Sequence, residues 1–81
     1  MTVRVLFFSV LRDLTGAEEI ALEVANGESI SSLLATLFTK WPALRKWDQS
    51  LLVAMDQTYV KRDVIVHDGA EVAIMPPVQG G

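Results

Sequence analysis

The apolar positions of this chain follow two different periods. Over residues 3–10 nearly every side chain is aliphatic or aromatic. That predicts a strand with both faces at least partly covered, lying inside a sheet. Side chains alternate along a strand, so Val3, Val5 and Phe7 share one face while Arg4, Leu6 and Phe8 share the other. Arg4 marks the second face as the outer one. Phe8 then points outward, either as an ordinary part-exposed residue or as the anchor of a partner interface. Residues 11–14 fit one helical turn ended by Gly16. In residues 19–24, Ile20, Leu22 and Val24 alternate with Glu19, Ala21 and Glu23, the pattern of a half-buried strand.

The period then changes. Ile30, Leu33, Leu34, Leu37 and Phe38 fall at i, i+3, i+4, i+7 and i+8, one apolar stripe of a helix. Ser29 is placed to cap its first turn through the side-chain oxygen. Pro42 disfavours helical geometry at Trp41, so the helix should stop near Lys40, whose charge suits the negative end of the helix dipole. A polar connector with Arg45, Lys46 and Asp48 follows. Residues 51–55 read as a strand, Asp56-Gln57 as a turn and residues 58–61 as a short return strand. After the turn residues His67-Asp68-Gly69-Ala70 comes a last strand, residues 71–75, with Val72 and Ile74 inward and Glu71, Ala73 and Met75 outward. Four or five strands with a single long helix cannot be doubly wound. The helix must cover one face of a mixed sheet, which makes an α+β domain of two layers.

At 81 residues one core is expected, and 51% hydrophobic residues supply it. There is no cysteine, so packing carries the stability without disulfides or thiolate metal sites, and a reducing cytoplasmic setting is the expected one. The net charge of -3 has the wrong sign for gripping a phosphate backbone, which argues against a nucleic-acid partner. The apolar N-terminal run is too short to span a membrane. One histidine and no thiol leave no arrangement for acid–base or nucleophilic catalysis by side chains, and no metal site is expected. Trp41 and Trp47 read as packing residues, and Lys61-Arg62 as a solvated face.

The chemistry is expected at the end of the sequence. Pro76-Pro77 closes the last strand, because neither residue can donate a ladder hydrogen bond. Val78, Gln79, Gly80 and Gly81 follow. Two glycines can thread a channel too narrow for any side chain, and a carboxylate on Gly81 would project from a flexible arm. The expected organisation is a globular domain over residues 1–75 and a Gly-Gly tail over residues 76–81.

Together these features resemble the ubiquitin-like β-grasp proteins of the MoaD/ThiS family. The resemblance rests on Val5-Leu6-Phe7-Phe8, Arg12-Asp13-Leu14-Thr15-Gly16, Gln57-Thr58-Tyr59-Val60, the run from Asp68 to Met75 and the ending Pro76-Pro77-Val78-Gln79-Gly80-Gly81. The Pro-Pro before the tail favours the molybdopterin synthase small subunits over the thiamine-pathway ThiS carriers. The resemblance implies a sulfur carrier that is not an enzyme alone and holds no permanent cofactor. A MoeB-type, E1-like enzyme would use ATP and Mg²⁺ to adenylate the Gly81 carboxylate. A sulfurtransferase would supply the sulfur that makes it a thiocarboxylate. A MoaE-type large subunit would accept the tail in a heterotetramer, where sulfur passes to cyclic pyranopterin monophosphate. Partner contacts are implied at Phe8, Arg12, Tyr59, Met75, Pro76, Pro77, Val78 and Gln79. Met75 stands where the family often has an aromatic residue, and Tyr59 where an aliphatic one is common. The alternatives are a thiamine-pathway carrier, a ubiquitin-like modifier and an interaction module with an incidental tail.

Overall fold

In a computed structural model, residues 1–77 are described. The first strand, β1 (Thr2–Phe7), is followed by helix α1 (Val10–Thr15), strand β2 (Glu19–Glu23) and the long helix α2 (Ile30–Lys40). A 3-10 helix (Pro42–Ser50) then leads into β3 (Leu52–Met55), β4 (Thr58–Tyr59) and β5 (Glu71–Met75). The five strands lie in the order β2-β1-β5-β3-β4. β1 and β5 are parallel and the other neighbours antiparallel, so the sheet is mixed, as the sequence predicts.

The core lies between one sheet face and α2. Val3, Val5 and Phe7 of β1, Val72 and Ile74 of β5, and Val53 of β3 meet Ile30, Leu33, Leu34, Leu37 and Phe38 of α2, all buried. The stripe read from the sequence is therefore the packed face, and burying each such side chain contributes about 1.5–3 kcal/mol relative to leaving it in water. Ser29 caps α2 as expected, its Oγ accepting from the Ser32 amide at 3.2 Å. Two other first-turn amides bond elsewhere: Ile30 N–H donates to the Val64 carbonyl and Ser31 N–H to the Arg62 carbonyl, both at 2.9 Å. Those bonds explain why β4 is shorter than residues 58–61. The chain after Tyr59 turns toward the helix and spends its carbonyls on the cap.

Two further boundaries differ from the pattern. The apolar run over residues 3–10 is not one strand, since β1 ends at Phe7. Ser9 takes φ 54°, ψ −131°, and the amides of Leu11 and Arg12 donate to the carbonyls of Phe8 and Ser9, starting α1 so that Leu11 becomes fully buried. Gly16 ends α1 at φ 74°, its amide bonded to the Arg12 carbonyl, a left-handed cap that suits glycine. The polar connector is the 3-10 helix, with Pro42 in its first turn where no amide is needed and Leu44 buried beneath it. Trp41 packs edge-on against Phe7, with ring centroids 5.5 Å apart.

Candidate functional site

The sheet face turned away from α2 carries the candidate site. Strand pairing fixes its rows. Leu6 lies opposite Ala73, Ala73 opposite Ala54, and Ala54 opposite Tyr59, so these four residues form one row across β1, β5, β3 and β4. In the next row Leu52 lies opposite Met75. The Phe8 amide donates to the Ile74 carbonyl at 3.2 Å, extending the parallel pairing past the end of β1 and bringing Phe8 alongside Met75. Within these rows Ala54 is buried, Leu6, Leu52, Ala73 and Met75 are half-buried, and Phe8 and Tyr59 are exposed.

The expected partner residues distribute as follows. Phe8 is 42% exposed and Tyr59 68%, both large exposures for aromatic groups, and Met75, Pro76 and Pro77 are half-buried at the point where the chain leaves the sheet. Phe8, Met75 and Tyr59 thus belong to one surface. Arg12 stands at its border on α1, where its Nη1 lies 2.8 Å from Glu18 Oε1. Val78, Gln79, Gly80 and Gly81 lie outside the described residues. Leu52 and Ala54 were not singled out by the sequence. The run Leu51-Leu52-Val53-Ala54-Met55 is apolar throughout, so alternation cannot say which members face outward; only pairing with Met75 and Ala73 does.

Charge frames the apolar rows. Arg4 bridges Glu19 at 3.4 Å and Glu71 at 2.7 Å, joining β2, β1 and β5. Such exposed pairs are worth about 0–1 kcal/mol each and fix geometry more than they stabilise. At the tip of the β3–β4 hairpin, Asp56 pairs with His67, a contact that reading His67 only as a turn residue does not foresee. His67 Nε2 is 2.5 Å from Asp56 Oδ2, and His67 Nδ1 is 2.9 Å from the Asp68 carbonyl. The Glu71 amide donates to Asp56 Oδ1 at 3.1 Å. That amide, with the His67 bond second, holds the Asp56 carboxyl below its ordinary value, and the bond to Asp56 raises His67. The pair ties the hairpin tip to the entrance of β5. Among the described residues no group of three His, Cys, Asp or Glu side chains is placed to hold a metal ion. Among the same residues no helix is long and apolar enough to cross a membrane.

A five-stranded mixed sheet holding one long helix on one face, with the second face open beside the exit of the last strand, defines a ubiquitin-like β-grasp domain. The comparisons with known proteins agree. Over 81 aligned residues the chain is 41% identical to the molybdopterin synthase sulfur carrier subunit of Escherichia coli (strain K12), covering 98% of this chain and 99% of that protein. It superposes on the solution structure of small archaeal modifier protein 1 from Methanosarcina acetivorans with a TM-score of 0.81 at 28% identity, covering 99% of this chain and 96% of that one. The protein–protein complex of subunits 1 and 2 of the molybdopterin-converting factor from Helicobacter pylori 26695 contains a chain of the same fold, with a TM-score of 0.70 at 24% identity over 100% of both chains. Residues 5–81 match the ThiS family, and the chain belongs to it.

Proposed function

We propose that this protein is the sulfur carrier subunit of a molybdopterin synthase. The observation that supports the reading most is the similarity to a sulfur carrier subunit over nearly the whole of both chains, beside a family match that runs over residues 5–81. The working group is the carboxylate of Gly81. A carboxylate is a poor acyl donor, because its charge repels nucleophiles and its leaving group would be oxide. ATP, with Mg²⁺ in an E1-like enzyme, converts it to an acyl-adenylate and pyrophosphate. The terminal sulfur of a donor's persulfide displaces AMP, and a second thiol then attacks the donor cysteine's sulfur in the resulting acyl disulfide, releasing the thiocarboxylate and leaving a disulfide between that thiol and the donor. That sulfur attacks carbon of the pyranopterin in the active site of the large subunit, which supplies the catalytic side chains. A dithiolene needs two sulfurs, so two charged carriers act for each product.

In this reading the outer face, with Phe8, Tyr59 and Met75, docks in turn on the activating enzyme and on the large subunit, and Pro76-Pro77, unable to donate ladder hydrogen bonds, close the last strand. The test is intact-mass spectrometry after incubation with the activating enzyme, ATP and a sulfur donor. One oxygen should be replaced by one sulfur at Gly81. An unchanged mass, under conditions that charge a known carrier, would overturn the proposal. A second reading, a protein modifier, draws on the likeness to the M. acetivorans protein. It requires higher-mass conjugates that survive reducing denaturation and disappear when Gly81 is deleted.

A further inference from the structure

A groove of about 280 Å³ opens at the border of the outer face, lined by Leu6, Phe7, Phe8, Arg12, Glu18 and Glu19. Its lining is apolar at β1 and charged at β2 and α1. Two carboxylates, Glu18 and Glu19, line it against the single guanidinium of Arg12, while Arg4, outside the lining, is shared between Glu19 and Glu71. Glu18 keeps 78% of its side chain exposed, and its bond to Arg12 uses only one carboxylate oxygen. The chain is also held under strain at this point. Ser9, next to Phe8, adopts φ 54°, a conformation that glycine takes readily and serine does not. Such strain persists only where surrounding contacts enforce it, and it tends to gather at sites of function. Here the turn sets Phe8 at the mouth of the groove and starts the helix that carries Arg12.

The geometry points to this groove as the anchor site for an arginine side chain of the large subunit. The inference rests on the reading that the outer face docks on that subunit. A guanidinium has an apolar stem for the Leu6 and Phe8 side, a planar face that can stack on an aromatic ring, and a fork of donors that matches a carboxylate. The excess of carboxylate at the rim favours a cation over a second acidic or neutral group. Arg12 holds Glu18 at the rim, and Arg4 does the same for Glu19.

The test is calorimetric titration of the full chain with the molybdopterin synthase large subunit from the same genome. The double variant Glu18→Gln, Glu19→Gln should weaken binding about tenfold at low salt and markedly less at high salt. Glu23→Gln makes the same kind of charge change at the other end of β2 and should leave affinity unchanged. Equal weakening by Glu23→Gln would reduce the effect to general charge and overturn the inference. If Met75→Ala weakens binding but the double variant does not, the groove is refuted and the docking face stands. If neither changes affinity, both are refuted.

Discussion

Phe8 and Leu33 are two large apolar residues with opposite assignments, and truncating each to alanine separates docking from folding. Leu33 is fully buried between α2 and the sheet. Its loss removes a complete transfer contribution and leaves a cavity, so Leu33→Ala should destabilise the fold by about 2–5 kcal/mol. Phe8 is 42% exposed, so a little over half of its surface is hidden by folding. Full burial of such a side chain contributes about 1.5–3 kcal/mol, which scales here to a folding loss of about 1–2 kcal/mol. The remaining surface is available to a partner, and an aromatic anchor at the centre of an interface typically costs 2 kcal/mol or more on truncation, about thirtyfold in Kd. Urea denaturation gives the first quantity, and titration with the large subunit gives the second. Equal losses of folding stability in the two variants, or an unchanged Kd for Phe8→Ala, would refute the division of the sheet into a packed and a docking face.

Other consequences are as direct. Ser9→Gly should raise stability by about 1 kcal/mol, since relief of the left-handed strain exceeds the extra entropy of glycine in the unfolded chain; a lower melting temperature would show that Ser9 is not strained. The Asp56–His67 pair should make stability depend on pH from both sides. The lowered Asp56 contributes fully above its ordinary 3.8 and loses this as pH falls through its folded value, whereas the raised His67 contributes fully below its ordinary 6.5 and loses this as pH rises through its folded value. The melting-temperature gap between the natural protein and His67→Ala should therefore be widest near about pH 5 and shrink toward about pH 8, and a gap that stays constant would contradict the pairing. Deleting Gly81 should abolish sulfur transfer and leave the melting temperature unchanged, because every buried hydrophobic residue described lies at or before Ile74. A drop of several degrees would mean that the tail helps hold the domain together.

The legible parts of this fold are those where one residue pattern has one meaning. The 3.6-residue stripe of α2, its serine cap and its stop before Pro42 were all readable, because spacing and capping chemistry specify a helix locally. The alternation in β1, β2 and β5 likewise told inward from outward residues, and it placed Phe8 and Met75 correctly on the outer side. What escaped depends on distant residues. Whether Leu52 or Val53 faces the core is decided by register against β5, and β4 ends early because the first-turn amides of α2 donate to the carbonyls of Arg62 and Val64. The 3-10 helix was hidden by its polar composition, with Leu44 its only fully buried side chain. His67 and Asp56 are eleven residues apart and meet only because the hairpin folds back on the start of β5. The groove at Glu18 and Glu19 needs α1 and β2 brought together, and no spacing rule encodes that.

The parallel pairing of β1 with β5 has a mechanical meaning. Because the two strands run in the same direction side by side, tension applied between the front of β1 and the back of β5 pulls them in opposite senses along their length. The inter-strand bonds are then loaded together in shear, where an antiparallel hairpin pulled at its open end would unzip one bond at a time. β5 is also flanked on its other side by β3, so its grip is shared between two neighbours. A partner that tugs on the segment beyond Met75 therefore strains the strongest direction of the sheet, and the body can be hauled by its leash without unravelling.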